Sequence, residues 1–155
     1  MRLIKSLLKK QMGRVLMLFA AVAAISPAAV NSLDQDTLKR YIESGPPFDF
    51  ILVDVRGAEE ASAGIGNVAC KPYNLAWPDQ LKKECDRIPK DRTVILYCRS
   101  GGRANNAAAY LDSIGFTKVY SAGGTLTWTG PTVPSADFRP ISALPEPSMQ
   151  TKTGK

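Results

Sequence analysis

The most apolar stretches of this chain do not alternate with polar residues. "FILV", Phe50 to Val53, and "TVILYC", Thr93 to Cys98, are nearly continuous runs of β-branched, aliphatic and aromatic residues. That is the pattern of strands covered on both faces. Around them the period lengthens. In "NSLDQDTLKRYIESGPP", Leu33, Leu38 and Tyr41 or Ile42 make an apolar stripe; Asn31, Ser32 or Asp34 can cap it, and Gly45 and the prolines end it. "WPDQLKKECDRIP" sets Leu81, Cys85 and Ile88 on one helical face, with Pro78 near the first turn. "RANNAAAYLDSIG" predicts a helix from near Arg103, closed by Gly115, and "TKVYSAGG" a further short strand. Three less regular pieces read as a short helix over "RGAEEASAG", a short strand around Val68 to Cys70, and a last helical turn in "TLTWTG".

Strands alternating with helices predict an α/β fold, a mostly parallel central sheet with helices on both faces. The domain is expected over residues 29–133. Residues 134–155 are proline-rich and polar, a C-terminal tail that either lies along the domain or stays mobile. The front of the chain differs again. Five basic residues precede Val15; Val15 to Ile25 is wholly apolar; Ser26 to Ala28 are small. At ~1.5 Å per residue that apolar run is too short to span a bilayer comfortably. Residues 1–28 therefore read as a signal peptide cut after Ala28, with an uncleaved inner-membrane anchor as the alternative. The expected location is the periplasm, with membrane contact only through the leader during export.

Export changes the meaning of the charge. The 155-residue chain carries a formal +6, and the leader's five basic residues leave about +1 for the mature protein. A basic face able to neutralise several phosphates is not visible, so nucleic acid is not an expected partner. The chain has three cysteines and no histidine. Cys–His proteases, Ser–His hydrolases and histidine metal sites are excluded. In an oxidising compartment three cysteines leave at least one unpaired. Cys70 and Cys85 either form a disulfide or are two small buried residues.

Cys98 is the candidate for chemistry. It ends a predicted parallel strand, where α/β sheets bind ligands. The loop "RSGGR" follows it, with Gly101 and Gly102 letting backbone N–H groups turn inward and the next helix pointing its N-terminus at the sulfur. Arg99 and Arg103 add positive charge, and Ser100 a hydroxyl. Such a cradle lowers a thiol pKa and suits a thiolate nucleophile attacking an anionic substrate. Sulfur transfer and phosphate-ester hydrolysis both fit that description. Cysteine phosphatases use C-x5-R, however, and here Arg103 makes C-x4-R while Ala104 occupies the longer spacing. The shorter loop favours a single extra sulfur atom over a phosphate group.

With these residues in hand, the chain resembles the rhodanese family of thiosulfate sulfurtransferases, over roughly Asp34 to Gly130. Three ordered blocks carry the likeness: "DVRGAEE" (Asp54 to Glu60), "YCRSGGRA", and "AGGTLTW" (Ala122 to Trp128). The single-domain, exported form looks most like periplasmic rhodaneses of the phage-shock type. The resemblance implies that Cys98 takes sulfane sulfur from a donor such as thiosulfate as a persulfide, held by the amides of Arg99 to Arg103. A thiol, or cyanide in vitro, then accepts the sulfur, and the resemblance implies that no metal or organic cofactor is needed. It implies that Arg99 favours a dianionic donor and that Asp54 and Arg56 brace the site by ion pairing. The stretch "GIGNVACKPYNLA" departs from the family's G-H-I-x-G-A and N-I-P, which bears on the acceptor-facing wall. The competing reading is a rhodanese-like sulfur-carrier or partner-binding module without turnover.

Overall fold

The computed structural model describes residues 30–144. The expected signal peptide and residues 145–155 of the tail lie outside the described residues. In chain order the elements are α1 (Gln35–Ser44), β1 (Phe50–Asp54), β2 (Ala63–Ile65), β3 (Tyr73–Asn74), α2 (Asp79–Glu84), β4 (Thr93–Cys98), α3 (Gly102–Ser113), β5 (Val119–Gly124) and β6 (Thr132–Pro134). Three single-turn 3₁₀ segments, Cys85–Arg87, Ser135–Asp137 and Ile141–Ala143, complete the set. Four strands form a parallel sheet in the order β3-β1-β4-β5, and β2 pairs antiparallel with β6 beside it.

The continuous apolar runs end where they were expected, in the two central strands. All six residues of β4 are buried. Its side chains divide by alternation. Val94, Leu96 and Cys98 join Leu81, Cys85, Ala104, Ala107 and Leu111 under α2 and α3. Ile95 and Tyr97 join Leu38, Ile42 and Leu52 under α1. Helices thus cover both faces. Asp34 caps α1, its Oδ1 accepting the Thr37 N–H at 2.9 Å.

Three local expectations are corrected. Residues 57–61 form turns and not a helix, with Glu60 N–H donating to Gly57 O and Ala61 N–H to Ala58 O. The Arg56 guanidinium claims the carbonyls of Glu60 and Ala63, the first of which a continuing helix would need. No strand forms at Val68–Cys70. There Asn67 Oδ1 accepts the N–H groups of Ala69 (2.9 Å) and Cys70 (2.7 Å), which a strand would have spent on a ladder. "TLTWTG" is a turn, closed by Trp128 N–H on Thr125 O, not a helical turn.

Of the two alternatives for the tail, the first holds for its described part: residues 134–144 lie along the domain. Ser135 N–H donates to Ser62 O, Arg139 N–H to Pro72 O, and the Tyr73 hydroxyl to Ala143 O. Leu144 is 3% exposed in the main core. Residues 134–144 are thus packed on the domain; a few apolar anchors and borrowed hydrogen bonds suffice despite the polar composition.

Candidate active site

Every pairing in the central sheet is parallel, so its carboxyl ends share one edge, and Cys98 lies on it. Cys98 stands opposite Gly124 of β5, after a register shift between Leu96 and Cys98. Gly101 takes φ 104°, a left-handed conformation that a Cβ would strain, and it starts α3 with no side-chain cap. The unpaired amides of that helix start face the sulfur instead. Gly101 N–H donates to Cys98 Sγ at 3.0 Å. Gly102 has open space where a Cβ would stand, so it lacks that steric reason to be glycine.

Two influences on Cys98 oppose one another. Burial raises its pKa, while backbone N–H groups of Ala104, Gly101, Ser100 and Arg103 lower it. The amides prevail, and the thiol titrates below its ordinary value. Ser100 thus contributes its backbone, and its side chain is exposed. Cys98 itself is only 1% exposed. A reactant must therefore reach the sulfur through the loop rather than across an open surface.

The first sequence block supports this loop from the side. Asp54 is fully buried, and it accepts from Arg56 Nε at 2.9 and 3.0 Å and from Arg56 Nη2. Arg56 in turn donates from Nη2 to Ala63 O at 2.6 Å and from Nη1 to Glu60 O at 3.3 Å. This holds the turn that presents Glu60, whose Oε1 and Oε2 accept from Arg103 Nη1 (3.0 Å) and Nη2 (2.6 Å). The ion pairing expected of Asp54 and Arg56 is present. Glu60 closes the first block, and its partner Arg103 lies forty-three positions away. The spacing of charges along the chain carries no signal for that contact.

The third block closes the loop from the other side. Thr125 N–H donates to Cys98 O (2.9 Å) and Leu126 N–H to Arg99 O (3.0 Å). Gln35, at the start of α1, donates from Nε2 to Ala122 O and Gly124 O. Arg56, Glu60, Arg99, Thr125 and Leu126 line a cleft of about 280 Å³ at the mouth. The three blocks that lie apart in the chain meet around one sulfur.

Comparison with known proteins decides the family. The profile of the rhodanese-like domain matches residues 34–130. The chain belongs to the rhodanese family. A sulfurtransferase of Allochromatium vinosum is 35% identical over 101 residues, covering 64% of this chain and 88% of that protein. A Bacillus subtilis protein named as a sulfurtransferase, YtwF, is 31% identical over 105 residues, 68% of this chain and 96% of its own length. A tRNA uridine(34) hydroxylase of Synechocystis is 30% identical, but this chain spans only 33% of it. Among solved structures, the Alr3790 protein of Anabaena superposes with a TM-score of 0.55 at 25% identity, covering 66% of this chain and 82% of that one. The family and its sulfurtransferase members support a sulfur-transfer role.

The other two cysteines of this rhodanese do not form the disulfide considered above. Both are free thiols, Cys85 in the core beneath α2 and Cys70 against the cluster on the sheet's opposite face. The sheet lies between them, which no S–S bond can cross. Burial pushes both thiols up. Cys70 lines a separate cleft of about 390 Å³ with Lys71, Arg92 and Arg139 near the start of β1.

Gly124 is the tightest point of the rhodanese loop. A Cβ there would lie within about 2.6 Å of Arg99 O, Arg99 C and Ser100 N, all backbone atoms. Gly124→Ala is therefore expected to displace the loop. We expect sulfur transfer to fall by roughly 100-fold, the scale of a misplaced catalytic group. The core folds under the helices elsewhere, so far-UV circular dichroism should be retained. Steady-state kinetics beside that spectrum check both halves.

Proposed function

We propose that this rhodanese moves sulfane sulfur from thiosulfate or a similar anionic donor to a thiol or cyanide through a persulfide on Cys98. The observation that carries the reading is the set of backbone N–H groups converging on Cys98 Sγ at the start of α3. In the first half-reaction the thiolate attacks the outer sulfur of thiosulfate. A Cys98 S–S bond forms, the donor S–S bond breaks, and sulfite leaves with its electron pair. The terminal sulfur of the persulfide carries the resulting negative charge, which the same amides stabilise. In the second half-reaction cyanide or a thiolate attacks that outer sulfur and Cys98 leaves as thiolate. No proton has to be shuttled by an imidazole, consistent with the absence of histidine.

The proposed setting is the periplasm, reached with a leader cut after Ala28; the basic start and the short apolar run support it. The reaction is tested by thiosulfate:cyanide kinetics, in which parallel double-reciprocal lines are expected for a ping-pong cycle. Intersecting lines would contradict a free persulfide intermediate.

Arg99 supplies the charge that meets the donor. It is exposed at the mouth and makes no ion pair among the described residues. Removing one full charge beside a dianion in water, partly screened by salt, amounts to roughly tenfold. Arg99→Ala should raise the KM for thiosulfate by about that factor, with an unchanged melting temperature. A thiosulfate KM equal to that of the unaltered protein would remove Arg99 from donor binding.

A further inference from the structure

The mouth above Cys98 holds three arginines, yet two of them are already occupied. Arg56 spends Nε and Nη2 on the buried Asp54 carboxylate. Arg103 spends both terminal nitrogens on Glu60, in the two-pronged geometry that a sulfate or sulfonate group would use. Neither member of that pair is buried: the Arg103 and Glu60 side chains are 34% and 41% exposed. An anion entering the cleft of Arg56, Glu60, Arg99, Thr125 and Leu126 therefore meets the Glu60 carboxylate on its wall.

Resting on the sulfur-transfer reading, we infer that Glu60 is a built-in competing anion that sets donor selectivity at the mouth. Its carboxylate occupies Arg103 as the donor's anionic group would, and leaves Arg99, which makes no ion pair among the described residues, to meet a donor. The two carboxylates and three arginines sum to a single positive charge, which the Cys98 thiolate cancels, so Glu60 removes the net positive charge that would otherwise draw in a dianion. Donors with one negative charge or none lose less by this arrangement than thiosulfate does. Glu60 thus disfavours dianions as a class, sulfate and thiosulfate alike, relative to sulfur donors of lower charge.

Glu60 remains ionised at neutral pH, because the hydrogen bonds and charge of Arg103 outweigh its slight burial and hold the carboxyl below the usual range. A merely structural Glu60 and a competing one make opposite forecasts. If Glu60 only braces Arg103, its loss loosens the site and weakens anion binding. If it competes, its loss exposes Arg103 and strengthens anion binding.

The experiment is a sulfate titration of the protein followed by the backbone amide NMR shifts of Arg99 to Arg103, in the unaltered form, E60Q and E60D. It needs no turnover, so it reads this inference even if thiosulfate proves not to be the donor. Glu60→Gln removes the charge and keeps the shape. We expect it to bind sulfate roughly fivefold more tightly, the scale of one exposed ion pair. Glu60→Asp keeps the charge and should bind as weakly as the unaltered protein. The thiosulfate KM of E60Q should fall by a similar factor, with kcat moving less. Unchanged or weaker sulfate binding in E60Q overturns the inference, as does equal tightening in E60D. Intact spectra of both variants separate these results from misfolding.

Discussion

Cys98→Ser is expected to reduce sulfur uptake from thiosulfate to the uncatalysed background while the domain stays folded. A serine hydroxyl in the same cradle cannot play the part. Its oxygen is a far weaker nucleophile than a thiolate at neutral pH, and the persulfide bond it would replace is a sulfur–sulfur bond. The fold should tolerate the change because the two side chains are nearly isosteric. The hydroxyl oxygen can accept the Gly101 N–H that now reaches Sγ at 3.0 Å. That limits the stability loss to about 1 kcal/mol. Sulfite release in a single turnover, with a thermal melt beside it, checks both parts. Sulfite released at the unaltered rate would mean that the nucleophile lies elsewhere. Cys70 and Cys85, whose thiols burial pushes up, are poorly suited to that role.

The largest loss of stability is expected from Asp54→Ala. Asp54 is 0% and Arg56 6% exposed, so the pair has little water to fall back on. Removing the carboxylate leaves a guanidinium buried without its counter-charge, which typically costs about 3–5 kcal/mol. Asp54 also accepts the backbone N–H of Arg56 at 3.0 Å, a bond lost in the same substitution. The consequences run on into the site. Arg56 holds the carbonyls of Glu60 and Ala63, so a displaced guanidinium releases the turn that presents Glu60 to Arg103. Urea unfolding should therefore show the full deficit, with sulfur transfer reduced even at temperatures where the variant is folded. Asp54→Asn, which keeps an acceptor but not the charge, should fall between the two. A deficit under about 1 kcal/mol, the range of a solvated surface pair, would contradict the buried-pair account.

The parts of the structure that could be read from residue order are those whose signal is local. β4 announces itself by six apolar or β-branched residues in a row, and α3 by an alanine-rich run between the loop glycines and Gly115. The loop between them follows, since a strand end and a helix start two glycines apart must turn their amides toward the residue at the corner. What was not legible depends on distant partners. β2 and β6 are three residues each and exist by pairing Gly64 with Val133. Neither has an alternating pattern long enough to declare a strand. Asn67 defeats the expected strand by folding its side chain onto the next two amides but one, a choice the surrounding apolar residues conceal.

The site shows the same division. Cys98 and its amides were visible because one short segment contains them. Of the charge pairs, Asp54 with Arg56 was expected through the resemblance, but Arg103 with Glu60 was not, because that guanidinium meets a carboxylate from a different block. The cysteines show how faces are decided by packing: Cys70 and Cys85, fifteen positions apart, are separated by the sheet itself. Arg99 and Arg103, alike in sequence, differ in that Arg103 pairs with Glu60 whereas Arg99 makes no ion pair among the described residues.

Intact mass spectrometry of the protein under non-reducing conditions, with and without thiosulfate, tests the central claim most directly. The account predicts a gain of about 32 Da, one sulfur atom, located on Cys98 and removed by cyanide. A folded protein with Cys98 free and no such gain in the presence of thiosulfate would contradict it.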